Sequence, residues 1–164
     1  MKRKVFRVFI ILLAVIAVAY LSFVVYPRVR KNGARYRMLA AVQIENRRGI
    51  NLSYRSSHGF RDLLSQPRED YEILQVWADS NASFDTRDII PDSWETEEIK
   101  TADLCERLNI WVDIQAVWLD SMGGDECSAW YYAEGGEEDF YLGWYEAGGQ
   151  DIIHIYHGRI ETAE

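Results

Sequence analysis

The chain has 164 residues and a net charge of −8, and that charge is unevenly divided. Residues 1–48 hold 11 of the 18 Lys and Arg and one acid, a balance of +10, while residues 49–164 hold 7 basic and 25 acidic residues, a balance of −18. The acidic remainder argues against nucleic-acid binding, which needs clustered cations against phosphates. It favours cationic partners or ions.

Residues 1–7 form a short basic tail containing Lys2, Arg3, Lys4 and Arg7. Val8 to Tyr26 then runs for 19 residues without a charge, with Ser22 as the only polar side chain apart from Tyr20 and Tyr26. As a helix this stretch is about 28 Å long, close to a hydrocarbon core of about 30 Å. It lacks the polar stripe of a helix buried in a soluble domain. The expectation is a single-pass transmembrane helix over 8–26, ended by Pro27. The competing reading is a cleaved signal peptide with Ala17-Val18-Ala19 as its small-residue site. Cations flank the run on both sides, which suits anionic headgroups. Their numbers are nearly equal, so the positive-inside rule does not fix the orientation. The working orientation places the basic tail in the cytoplasm and the globular part outside it.

Residues 27–48 read as a basic juxtamembrane segment. Asn32-Gly33 is a predicted break, and Ala34 to Arg48 a helix with Met38, Leu39 and Val42 on its apolar stripe and Gly49 as its stop. Residues 49–164 read as one acidic, aromatic-rich globular domain, and all six Trp lie between Trp77 and Trp144. Its predicted strands are Ile50–Arg55, Tyr71–Asp79, Ile114–Leu119, Ser128–Ala133, Phe140–Glu146 and Asp151–His157. Ser56 to Gly59 is a predicted turn, Phe60 to Ser65 a helical turn, and 80–95 a long loop. A helix is predicted over Thr96–Leu108, with Glu95, Glu97 and Glu98 at the favourable end of its dipole. Ala147-Gly-Gly-Gln150 suits a hairpin between the last two strands. The fold class is α+β, an N-terminal transmembrane helix followed by a small domain of about six strands and two helices.

Val76-Trp-Ala-Asp-Ser80 and Val117-Trp-Leu-Asp-Ser121 nearly repeat. Leu104, Leu108, Ile114, Val117 and Leu119 fall where a leucine-rich repeat places its aliphatics. Together with Arg47-Arg-Gly-Ile-Asn-Leu-Ser-Tyr54 after the anchor, the chain resembles short membrane-anchored bacterial proteins with degenerate leucine-rich-repeat-like ectodomains. That resemblance implies an alternative fold, a short solenoid, and a binding role through an exposed sheet. It carries over no catalytic residue.

Candidate sites are sparse. His154 and His157 lie three apart on a strand and so face opposite ways, which keeps one ion from taking both. His58 beside Ser56 and Ser57 lacks the acid and oxyanion donors of a hydrolase. No cofactor motif is present. The acids Asp120, Asp125, Glu126, Glu134, Glu137, Glu138 and Asp139 flank glycine-rich turns and would suit calcium, without the spacing of a calcium loop. Strict alternation places Tyr141 and Tyr145 on one face and Phe140, Leu142 and Trp144 on the other, so most of these rings belong to the core. The rings left over, with neighbouring acids, define the expected binding surface: Trp130, Tyr132, Tyr141, Trp144, Tyr145, Glu137 and Asp139. Cys105 and Cys127 pair in an oxidising compartment or remain buried thiols in a reducing one. The functional expectation is a membrane-tethered, non-catalytic interaction domain whose partners are the bilayer and another protein. The alternative is a membrane-anchored hydrolase or glycan-active enzyme using carboxylates of the C-terminal sheet.

Overall fold

The computed structural model describes residues 2–56, 71–110, 126–136, 139–146 and 151–159. The chain divides into two compact units, Met1–Ala34 and Arg35–Glu164.

Helix α1 (Lys2–Tyr20) passes through a π-helical turn at Leu21–Val25 into helix α2 (Tyr26–Ala41), of which Arg35–Ala41 belong to the second unit. One helix is thus long and apolar enough to cross a membrane, and its apolar window is wholly unburied. Pro27 does not end it. The π turn sits immediately before Pro27, with the Tyr26 N–H bonded to the Leu21 carbonyl five residues back. Such a widened turn relieves the clash a proline ring makes with the carbonyl of the turn before it. The helix also continues through Asn32-Gly33, where a break was expected.

In the second unit, six strands form one antiparallel sheet: β1 (Ile50–Ser56), β2 (Glu72–Ala78), β3 (Ile99–Lys100), β4 (Glu126–Gly136), β5 (Asp139–Glu146) and β6 (Ile153–Arg159). Their order across the sheet is β1-β2-β6-β5-β4-β3. The α+β expectation holds. The solenoid alternative does not, because stacked repeats require parallel strands and every strand pairing among the described residues is antiparallel. Val76–Ser80 closes β2, while its near-repeat at 117–121 lies outside the described residues, as do the expected strand at 114–119 and the helical turn at 60–65.

The pleat sorts side chains onto two buried faces. One face carries Leu74 and Val76 of β2, Ile153 and Ile155 of β6, Tyr141 and Tyr145 of β5 and Ala129 of β4. Met38, Leu39 and Val42 from the end of α2, with Ile44, Ile89 and Trp94, cover it. The opposite face carries Ile73, Phe140, Leu142, Trp144, Trp130 and Tyr156 beneath Leu104 and Cys105 of α3 (Thr101–Arg107) and Ile110. Tyr141 and Tyr145 therefore do lie on the face opposite Phe140, Leu142 and Trp144.

Two elements end or begin elsewhere than the periodicity predicts. Helix α2 stops at Ala41 rather than running to Arg48. Gln43 takes a left-handed φ of 62°, its N–H donates to Ala40 O (3.1 Å) and the Ile44 N–H donates to Leu39 O (2.9 Å). This is a Schellman stop with Gln in the place that glycine usually holds. The side chain gives the reason: Ser93 Oγ donates to Gln43 Oε1, and Gln43 Nε2 donates to the Tyr131 hydroxyl. The predicted helix from Thr96 instead starts at Thr101, because the preceding residues line the edge of β4. Glu95 and Trp130 exchange both backbone hydrogen bonds at 2.9 Å, and Ile99 and Lys100 pair with Cys127 and Glu126.

Trp94 fastens the first face. Its Nε1 donates to the Val42 carbonyl at 2.9 Å, one of the acceptors a helix end leaves open. Its ring lies against Gly143, where a Cβ would meet Trp94 ring carbons at 2.7 Å. Gly143→Ala is therefore expected to lower unfolding stability by about 1–3 kcal/mol. Trp94→Phe, which removes the donor, costs about 1 kcal/mol or more. Urea titration of both variants checks this, and wild-type midpoints for both would refute the fastening role.

Candidate functional site

Among the described residues, several titratable groups gather at one end of the face that α2 covers. Glu72, the first residue of β2, stands in register with Ser56 of β1 and His157 of β6. Its alternation with Leu74 and Val76 turns its carboxylate to the buried side. There it receives three donors: Arg37 Nη2 and His157 Nδ1 (2.8 Å) at Oε2, and the Tyr54 hydroxyl at Oε1. Burial opposes ionisation of Glu72, but the hydrogen bonds from His157, Tyr54 and Arg37 prevail and bring its pKa down to about 2. An ionised carboxylate only accepts, so the His157 proton is on Nδ1. Nε2 then faces the Asp139 carboxylate at 3.8 Å, beyond hydrogen-bond length. The Tyr141 ring lies flat on the imidazole, with centroids 4.2 Å apart and planes 8° from parallel. Burial, and then the Glu72 carboxylate, pushes Tyr54 up to about 12.

A carboxylate holding a histidine by Nδ1 is also the orienting half of a nucleophile-activating triad. Here the group facing the other nitrogen is a carboxylate. Glu72, ionised and occupied by three donors, is unsuited to acid–base exchange near neutral pH. What the arrangement does chemically is join α2 to β1, β2 and β6 through one charge.

A second pair lies on the opposite face. His154 Nε2 and Glu146 Oε2 are 2.9 Å apart, and both residues are buried. The geometry is that of an ion pair, yet burial outweighs the carboxylate and lowers the His154 pKa, which leaves a neutral imidazole near neutral pH. His154 also stacks on Trp144, with centroids 5.3 Å apart. His154 and His157 therefore sit on opposite faces. A third contact, Tyr145 to Asp151 at 2.7 Å, accompanies a Tyr145 pKa that burial first, and then Asp151, pushes up to about 12.

The residues expected to form a binding surface are not brought together. Trp144 is wholly buried, and Trp130, Tyr141 and Tyr145 are buried as well, so these four belong to the core. Tyr132 is half-buried and stacks on Phe140. Asp139 is half-buried beside His157, and Glu137 lies outside the described residues. Two of the acids considered for calcium, Glu126 and Glu134, are exposed on β4, and Asp120, Asp125 and Glu138 lie outside the described residues with Glu137. No group of three metal-binding side chains occurs among the described residues. Ser56 ends β1, while Ser57 and His58 lie outside the described residues. Cys105 and Cys127 are free, buried thiols, and burial pushes them up to about 12 and about 11.

The Glu72 cluster escaped the reading by motif because its members come from four separate elements. A signal was nonetheless present: Glu72 and His157 fall in phase with the apolar residues of their own strands. A charge in phase with the core implies a buried partner.

Compared with known proteins, the chain matches no family model, and no curated protein and no solved structure proved similar to it.

Because the Glu72 carboxyl ionises more readily folded than unfolded, its contribution is fully present above its ordinary pKa of 4.5 and is lost as pH falls toward about 2. With solvent screening allowed for, Glu72→Gln should cost about 2 kcal/mol at neutral pH. The deficit should vanish under strongly acid conditions. Unfolding titrations across that range test this, and an equal deficit at both extremes would show that the carboxylate charge is not what stabilises the joint.

Proposed function

We propose that the chain is a membrane-tethered, non-catalytic interaction domain. The observation that carries the tether is an apolar helical run, long enough to cross a bilayer, in whose apolar window no residue is buried. Phe9, Ile11, Val15, Val18, Leu21 and Phe23 each keep more than half of their surface open. Leaving such side chains in water forgoes about 1.5–3 kcal/mol apiece relative to burial, and lipid is the medium that recovers it.

Support for a binding rather than a catalytic role comes from the occupied state of the buried titratable groups. Glu72 is held by three donors and Glu146 by His154. Five exposed acids lie around β3 and α3, Glu95, Glu98, Asp103, Glu106 and Glu126, interspersed with the exposed Lys100 and Arg107. Such a rim attracts cationic partners and speeds their encounter. The partner is another protein presenting basic side chains, with the globular unit outside the cytoplasm.

Affinity capture of full-length protein from detergent-solubilised membranes tests this reading. A partner should be retained by the wild type at low salt and lost by the Glu95→Lys, Glu98→Lys, Glu106→Lys variant, whose fold should be unchanged. A partner held equally by both would refute the acidic rim, and turnover of a hydrolase or glycosidase substrate would refute the non-catalytic assignment.

A further inference from the structure

We propose that the first unit grips anionic phospholipid headgroups in both leaflets at once, through a collar of cations at each end of its apolar helix. The inference rests on the reading that this helix spans the bilayer.

Arg28, Arg30 and Lys31 follow the apolar run directly and are exposed on α2. Among the described residues none of the three takes part in an ion pair. At about 100° per residue, Arg30 and Lys31 lie roughly 200° and 300° around the helix from Arg28. They occupy only about 5 Å of its length. Cations spread around a helix at one level match a headgroup layer that the helix pierces. A helix lying flat on a membrane instead gathers its cations along one stripe. Tyr26 is exposed just before this collar, and tyrosines favour that interfacial level.

Lys2, Arg3, Lys4 and Arg7 form the second collar by their positions in the first turns of α1. Arg7 and Arg28 are 21 positions apart. That separation is about 31 Å of helix, close to the hydrocarbon thickness of about 30 Å. Both collars therefore reach headgroup level together. The near-equal charges that leave orientation undecided by the positive-inside rule become a requirement on the lipid: negative headgroups on both sides. Free phosphate in solution would not reproduce this, because two cation sets a membrane thickness apart need charge held in two planes.

The test uses full-length protein in vesicles of phosphatidylcholine with a minority of phosphatidylglycerol. One arm asks whether the protein resists alkaline carbonate extraction. The other measures, by mass spectrometry after gentle detergent extraction, which lipids stay with it. Wild type should resist carbonate and retain phosphatidylglycerol enriched on the order of fivefold over its bulk share. The Arg28→Gln, Arg30→Gln, Lys31→Gln variant should still resist carbonate and lose about half of that enrichment. Adding Lys2→Gln, Arg3→Gln, Lys4→Gln and Arg7→Gln should return the ratio to the bulk value. Resistance to carbonate with a bulk lipid ratio in the wild type would overturn the collars and leave the span standing. Enrichment lost entirely with the first three substitutions would overturn the two-leaflet grip. Release by carbonate would overturn the span itself, and the collars with it.

Discussion

The folded unit depends on the seating of the last turns of α2 against the sheet. Met38, Leu39 and Val42 are essentially inaccessible to solvent there. Burying three such side chains contributes on the order of 5 kcal/mol or more, comparable to the whole net stability of many small domains. Polar fastenings refine the seat. Trp94 satisfies the Val42 carbonyl, Gln43 bridges Ser93 and Tyr131, and Arg37 meets the Glu72 carboxylate. Each acts on a different neighbour, namely the 80–95 loop, β4 and β2. Together they explain why a helix that reads as a juxtamembrane appendage is counted within the globular unit from Arg35 onward.

Much of the sheet was legible because alternation is a strong signal where both faces are buried. Tyr141 and Tyr145 against Phe140, Leu142 and Trp144 is the clearest instance, and β1 and β2 lie within a residue of their expected bounds. The departures have specific causes. Pro27 and Asn32-Gly33 look like helix ends, but a π turn accommodates the first and helical backbone continues through the second. Thr96 to Lys100 carries helix-favouring acids, yet backbone pairing with β4 draws its neighbours into an extended path. Gln43 is not a residue one expects at a helix stop, and only its two side-chain partners, 50 and 88 residues away, explain its presence. The binding surface read from aromatic content failed because rings dense enough to suggest contact were also dense enough to build the core.

Glu72 on one face and the His154–Glu146 pair on the other are held by groups from neighbouring strands or helices. Glu72 stays ionised because three donors outweigh its burial, whereas His154 is driven toward neutrality because a single carboxylate does not outweigh its own. The strand order places β1 and β3 at opposite edges of the sheet. The acids around β3 and α3 are thereby separated from Arg55 on β1.

The end of α2 is part of the domain core rather than a linker to it. Comparing the thermal unfolding of chains beginning at residue 35 and at residue 49 tests it most directly. A cooperative transition with dispersed side-chain NMR signals for residues 35–164, and none for residues 49–164, is the result expected. If residues 49–164 unfold cooperatively at the same temperature as the longer chain, the helix end is dispensable and the account is wrong.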